Sequence, residues 1–365
     1  MSQLVHMHGG DLDAIEKQYG IPKKEIIDFS GNINPLGFPE SVKKALAENL
    51  DIVSIYPDKN YTALRKSIAA YTGADYEHIK VGNGSTELIS IFIKSVNAKK
   101  AVILGPAYSE YEHELTVCGS KFAYFPLKEE NNFIADIDEL IKFLTPDIDL
   151  FIMCNPNNPT GTAITTSQLD EILAHCKKNN TAVMVDETYI EFSDNLSEIC
   201  AIPLTNKYDN LFVIRGTAKF FAAPGLRLGY GISSSKAFKE LLEKNQNPWS
   251  VNILAAFAGE RMFSDKEFNE KTWKLITSER KKALDEFKTW KNIKAYDSSA
   301  NFILLKLLTD KTNAAEIFQK MIMKKMLIRD AASFTFLDES YLRFCILSPE
   351  HNKMLIEELK KIVED

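Results

Sequence analysis

The chain has 365 residues, 45% hydrophobic and 26% charged, which fits a soluble globular protein long enough for two domains in one subunit. Its 44 basic and 50 acidic residues give a net charge of −6, which argues against a general nucleic-acid binder but leaves room for a local basic pocket. Five widely spaced cysteines without a CxxC pair, and six histidines without an HExxH motif, argue against a disulfide framework and predict no metal site.

The opening stretch, MSQLVHMHGGDLDAIEKQYG, lacks a basic segment followed by an apolar one, so it does not read as a signal peptide. No apolar run approaches the ~20 residues of a membrane span; a cytoplasmic protein with no membrane partner is expected. PESVKKALAENL (39–50), YTALRKSIAAYTG (61–73) and STELISIFIKSV (85–96) have helical periodicity. KAVILGP is a buried strand ending in a Gly-Pro breaker. DLFIMCNPNNPTG repeats the design, a strand running into a turn-rich loop, and TAVMVDETY and NLFVIRG are further apolar runs with polar ends. TSQLDEILAHCKKNN, between them, reads as a helix capped by Thr166 or Ser167. This alternation over about 80–235 predicts an α/β fold with a mostly parallel sheet flanked by helices. The last third predicts a smaller α+β domain: a polar helix (264–291), SSANFILLKL, a helix over 313–325, MLIRD, YLRFCIL and a final helix (350–363). The expected division is 1–38, a segment covering the site and joining the small domain; 39–262, the large domain; and 263–365, the small one.

Ligands gather at the carboxyl ends of strands in such sheets. Here those ends carry Asn155 and Asn157, Asp186 and Tyr189, and then Lys219, with Arg227 eight residues on. Lys219 lies in RGTAKFFAAPGLRLGY, where an apolar surround lowers an amine's pKa. A neutral amine can form a Schiff base with an aldehyde. An aspartate can keep a pyridine nitrogen protonated, and GNGSTE (82–87) can offer backbone N–H groups to a phosphate. These are the parts of a pyridoxal 5′-phosphate site. Each also has an ordinary reading: a lysine beside phenylalanines often snorkels, and Asp186 and Asn157 could be turn or cap residues.

CNPNNPTG, VDETYIEF and AKFFAAPGLRLGY, in this order, resemble the fold-type I aminotransferase superfamily of pyridoxal-phosphate enzymes. HGGDL, DFSGNINPLG (28–37), YPDKNYTALR (56–65) and NPWSVNILAAFAGE (247–260) resemble its histidinol-phosphate aminotransferase branch, and within it the threonine-phosphate decarboxylases. The resemblance implies decarboxylation of O-phospho-L-threonine, or its near variant O-phospho-L-serine, to an amino-alcohol phosphate for cobamide synthesis. Transamination of histidinol phosphate with 2-oxoglutarate is the alternative. It implies that Lys219 binds the cofactor covalently, Asp186 pairs with its ring nitrogen, and Tyr189 and Asn157 reach its phenolic oxygen. Tyr108 would stack on the ring. Ser85, Thr86 and Arg227 would bind the phosphate, joined by Tyr56 from a second subunit, so a homodimer is implied. Arg343 and Arg329 would hold the substrate's carboxylate and phosphate, with His8, Gly9, Asn32 and Asn157 around them. Relatives carry hydroxyl residues where Gly216 and Ala218 stand. Two hydrogen bonds to the phosphate, worth roughly 1.5–3 kcal/mol each, then fall to backbone N–H groups or to Thr217.

Overall fold

In the computed structural model, which describes residues 9–364, the apolar runs at 101–104, 150–154, 182–185 and 211–214 are buried throughout, as strands covered on both faces must be. In chain order the strands are β1 (Ile27–Asp28), β2 (Ile79–Gly82), β3 (Lys100–Gly105), β4 (Lys121–Pro126), β5 (Leu150–Cys154), β6 (Ala182–Asp186), β7 (Leu211–Gly216), β8 (Gly229–Ile232), β9 (Ile293–Ala295), β10 (Phe302–Leu307), β11 (Met326–Leu327), β12 (Arg329–Asp330) and β13 (Tyr341–Cys345). The main sheet has the order β2-β8-β7-β6-β5-β3-β4. Its β7-β6-β5-β3-β4 portion is parallel, as the sequence predicts.

The antiparallel end, β8 paired with β2 and β7, has no strong sequence signal, because its strand reads GYGI. Its glycines are dictated by packing. A Cβ on Gly231 would lie 2.2 Å from the Phe212 ring, and one on Gly229 would lie 2.5 Å from the Ser85 backbone nitrogen. The start of the helix Gly84–Val96 is thereby pressed against the sheet. The helix Thr166–Lys178 is capped by neither Thr166 nor Ser167 but by Thr165, which forms a reciprocal capping box with Gln168.

A second sheet, β12-β13-β10-β9, is antiparallel. The run MLIRD is not one strand. Met326–Leu327 pairs in parallel with β1, and after Ile328 the chain pairs with β13 instead. β1 thus joins the segment before residue 38 to the second sheet, and Ile15, Ile322 and Leu327 form a small separate core there. Among the described residues no helix is long and apolar enough to cross a membrane.

A Gly229→Ala change places its methyl against backbone, which cannot yield as a side chain can. Overpacking of this kind costs about 1–3 kcal/mol; the variant should melt several degrees below the parent in a thermal unfolding scan, whereas Gly225→Ala, with nothing within 4 Å of its Cβ, should not.

Candidate active site

The carboxyl ends of β5, β6 and β7 open into a cavity of ≈ 600 Å³. Eleven of the residues singled out in the sequence line it: Gly9, Asn32, Ser85, Thr86, Tyr108, Asp186, Tyr189, Lys219, Arg227, Arg329 and Arg343. They come from both sheets and from the segment preceding residue 38.

The stretch DFSGN builds one wall. The Asp28 carboxylate accepts from Ser30 N (2.7 Å), Ser30 Oγ (2.6 Å) and Gly31 N (3.1 Å), an Asx-type turn that short polar side chains favour. A Cβ on Gly31 would lie 2.7 Å from that carboxylate, so the turn needs glycine there. Asn32 then adopts a left-handed φ of 54°. The result is two successive carbonyls facing two cations. Arg343 Nη2 donates to Ser30 O at 2.7 Å, and Lys219 Nζ donates to Gly31 O at 2.7 Å. Asn34 ties the same segment to the Lys219 loop through Phe220 O (2.6 Å) and to the helix Lys266–Phe287 through Thr272 Oγ1 (2.8 Å).

Burial pushes the Lys219 amine down to about 8, and the positive charge of Arg343 acts in the same direction. Arg343 is buried; its Nη1 donates to Asn158 Oδ1, and its Nε has no hydrogen-bond partner among the described residues. Arg329 donates through Nη2 to Ser333 Oγ at 2.8 Å; burial, then Arg343, holds its guanidinium down to about 10. Asp186 accepts from Tyr111 Oη at 2.7 Å, from Thr188 N at 3.0 Å and from the Thr188 hydroxyl. These donors are neutral, and burial raises the Asp186 pKa. Asn32 Nδ2 donates to Tyr189 Oη at 3.3 Å. Tyr108, half-buried, meets Tyr111 edge-on with centroids 5.8 Å apart.

At the other end, Ser85 and Thr86 occupy the first turn of the helix Gly84–Val96, where unpaired N–H groups and the helix dipole favour an anion. Gly84 has φ +84°, and a Cβ there would lie 2.7 Å from Arg227 Nη2. Glycine is what lets that guanidinium reach the helix start. The missing side chain at Gly216 also has a spatial reason: its Cβ would lie 3.3 Å from Ser85 Oγ. Ser85, from the helix, stands close to the place a side chain at 216 would take.

Two sequence expectations are corrected. Asn157 does not line the cavity; its amide donates to Pro106 O and Thr160 Oγ1, both at 3.0 Å. Its neighbour Asn158 lines the cavity and accepts from Arg343. Consecutive asparagines on a turning loop face different ways, and the motif alone does not say which faces in. Thr217 does not compensate for Gly216 and Ala218, because its hydroxyl donates to Leu228 O at 3.0 Å and is fully buried. Tyr56, expected to act from a second subunit, is 79% exposed and outside the cavity of its own subunit, with its ring 5.0 Å from that of Trp249. His8 lies outside the described residues. Tyr111 was missed, although its place three residues after Tyr108, the N-cap residue of the helix Ser109–Val117 that carries it, was a usable signal. That helix also gathers Glu110, His113 and Glu114 within 4.8 Å, through helical i, i+3, i+4 spacing rather than a metal motif.

Residues 24–359 match the family described as aminotransferase class I and II, and the chain belongs to that family. It is similar to the threonine-phosphate decarboxylase of Salmonella typhimurium, at 33% identity over 98% of this chain and 96% of that one. It is 39% identical, over 92% of this chain and 89% of the relative, to a Caldanaerobacter subterraneus protein named provisionally as a threonine-phosphate decarboxylase. Its fold is also that of the histidinol-phosphate aminotransferase from Clostridium acetobutylicum, with TM-score 0.86, 31% identity, and 92% of this chain and 98% of that one covered.

Pyridoxal 5′-phosphate, the cofactor of this family, fits the residues present. Asp186 is a buried carboxylate with neutral donors and no ion pair among the described residues, so a protonated ring nitrogen is the partner that would restore its charge. The helix start with Arg227 is a ready cradle for a phosphate.

A neutral amine is needed to capture an aldehyde. Capture of pyridoxal phosphate by the apoprotein, followed by visible absorbance, should therefore rise with pH through about 8 and level off above it. An ordinary lysine, at 10.5, would still be gaining about tenfold per pH unit at pH 9. Asp28 favours the charged amine and Arg343 opposes it, so Asp28→Asn should move the midpoint down and Arg343→Met should move it up.

Proposed function

We propose that the protein is a pyridoxal-phosphate-dependent decarboxylase of O-phospho-L-threonine, with O-phospho-L-serine as the near variant, yielding an amino-alcohol phosphate of the kind used in cobamides. The observation that carries this reading is the pair Arg329 and Arg343, register partners on β12 and β13, in the same cavity as Lys219. Two cations suit a substrate with two anionic groups. Arg343, fully buried and planar, takes the carboxylate as a fork. Arg329, toward the outer side with Ser333, takes the phosphate.

Lys219 would be the residue to which the cofactor attaches, and Asp186 would hold its ring nitrogen. Tyr189 and Asn158 serve its phenolic oxygen, Tyr108 its ring face. Ser85, Thr86 and Arg227 serve its phosphate, and Gly9 and Asn32 close over the substrate. When bound, pyridoxal phosphate supplies an electron sink for the pair left on the α-carbon as a bond there breaks. Arg343 decides which bond that is, since holding the carboxylate fixes the rotation about the α-carbon. The buried surround of Lys219 keeps its amine able to both hold and release a proton near neutral pH. Displaced from the cofactor by the substrate's amine, its Nζ would be free to return a proton to the carbon that carbon dioxide leaves. The methyl that separates phosphothreonine from phosphoserine is worth only ~1–3 kcal/mol to a pocket, so both can be accepted.

Transamination of histidinol phosphate is the second reading, supported by the Clostridium acetobutylicum likeness. Carbon dioxide should appear from O-phospho-L-threonine with no oxo-acid present. Turnover that needs 2-oxoglutarate and forms glutamate would instead establish the aminotransferase. Removing one partner of a buried charge contact costs about 2–5 kcal/mol. Arg329→Ala should therefore raise KM for phosphothreonine at least 30-fold while changing that for unphosphorylated threonine little; an equal rise for both would refute the phosphate role.

The protein works as a homodimer in this reading. Leu50, Val53, Ile55 and Tyr56 are all more than half exposed, and Trp249 packs on Tyr56; so much apolar surface marks an interface. Tyr56 of the second copy would then reach the cofactor phosphate. Ile55→Asp should shift the mass in sedimentation equilibrium from dimer to monomer and release pyridoxal phosphate; a monomeric parent would refute the interface.

A further inference from the structure

Arg329 and Arg343 face each other directly across two antiparallel strands, an arrangement that repels for like charges. One aromatic ring lies against both. The Phe334 centroid is 5.6 Å from Arg329 Cζ and 5.9 Å from Arg343 Cζ, within the ≈ 6 Å reach of a cation–π contact. Phe302 stands 5.2 Å from Arg343 Cζ, so Arg343 is in reach of two rings. Phe334 lines the cavity, and its position is set by the loop that carries it. Its N–H donates to Ala331 O at 3.0 Å, and Leu337 N donates to its carbonyl at 3.0 Å. The next aromatic, Phe336, has a left-handed φ of 72° and meets Tyr124 of β4 edge-on, with centroids 5.7 Å apart. The loop is therefore anchored on both sheets. A rigid ring within reach of both guanidiniums constrains where each sits, which a flexible aliphatic side chain cannot do.

We propose that Phe334 is a specificity-determining residue that spaces the two guanidiniums and so selects dianionic substrates by the distance between carboxylate and phosphate. This rests on the roles given to Arg329 and Arg343 above. Phe334 acts through the arginines and is a positioning residue.

The test uses the holoenzyme and three variants: Phe334→Leu, Phe334→Tyr, and Phe334→Met should the leucine variant fail to fold. Dissociation constants are read from the change in visible absorbance on titration with O-phospho-L-threonine and with O-phospho-L-homoserine, which is one methylene longer; KM and kcat are measured alongside. Phe334→Leu should raise the Kd and KM for phosphothreonine at least tenfold, leave kcat within threefold, and reduce the preference over phosphohomoserine at least tenfold. Phe334→Tyr, which keeps the ring, should restore all three to within threefold. Equal losses for both ligands, an unchanged Kd, or a tyrosine variant behaving like leucine would overturn the proposal. A parent enzyme that binds phosphothreonine without releasing carbon dioxide would refute the decarboxylase reading alone, because the dissociation constants still report on Phe334. A parent that does not bind it would refute both.

Discussion

Ser30 and Gly31 present consecutive carbonyl oxygens to Arg343 and Lys219, and the site depends on that contact. Two cations close together in a poorly solvated cavity repel each other and lose hydration. The carbonyls return part of what is lost, and the Asp28 carboxylate behind them adds a favourable charge to both. The turn also crosses structural boundaries. It precedes the large sheet in sequence, follows β1, which pairs with β11 of the small part, and touches the loop after β7. Its geometry therefore sets the distance between Lys219, in the loop after β7 of one sheet, and Arg343 on the other.

The balance of charge around the cavity follows a division of labour. At one end a helix start and Arg227 offer positive potential to a phosphate on a mostly backbone frame, where Gly84, Gly216 and Gly229 allow close approach. At the centre Asp186 is held by hydroxyls and an amide, which orient the carboxylate without neutralising it. At the far end two arginines stand together against aromatic rings. Each cation thus has a neutral hydrogen-bond or aromatic neighbour, which holds its place without cancelling its charge.

Much of the large sheet was legible from the sequence because buried parallel strands are continuous apolar runs between turn residues. The antiparallel strand GYGI, between β2 and β7, was not, since its glycines answer to Phe212 and the helix start rather than to any local preference. The run MLIRD looked like one strand because periodicity does not record a change of partner at Ile328. Local competition also decided the cap of the helix Thr166–Lys178: three hydroxyl residues stood in a row, and only Thr165 is placed three before Gln168 for a reciprocal box.

The sequence alone determined the chemistry available: a lysine in an apolar surround, an aspartate and tyrosine at strand ends, a glycine-polar helix start and two C-terminal arginines. Those types are legible because strand ends in an α/β sheet converge by topology. Which of Asn157 and Asn158 faces the cavity was decided by tertiary structure, because facing depends on the path of a turning loop. The same holds for Thr217, whose hydroxyl is drawn to Leu228 O, and for Gly216, whose space is bounded by Ser85 from another element. Phe334 carried no signal at all in the sequence. Its ring matters through two guanidiniums that only the pairing of β12 with β13 sets side by side.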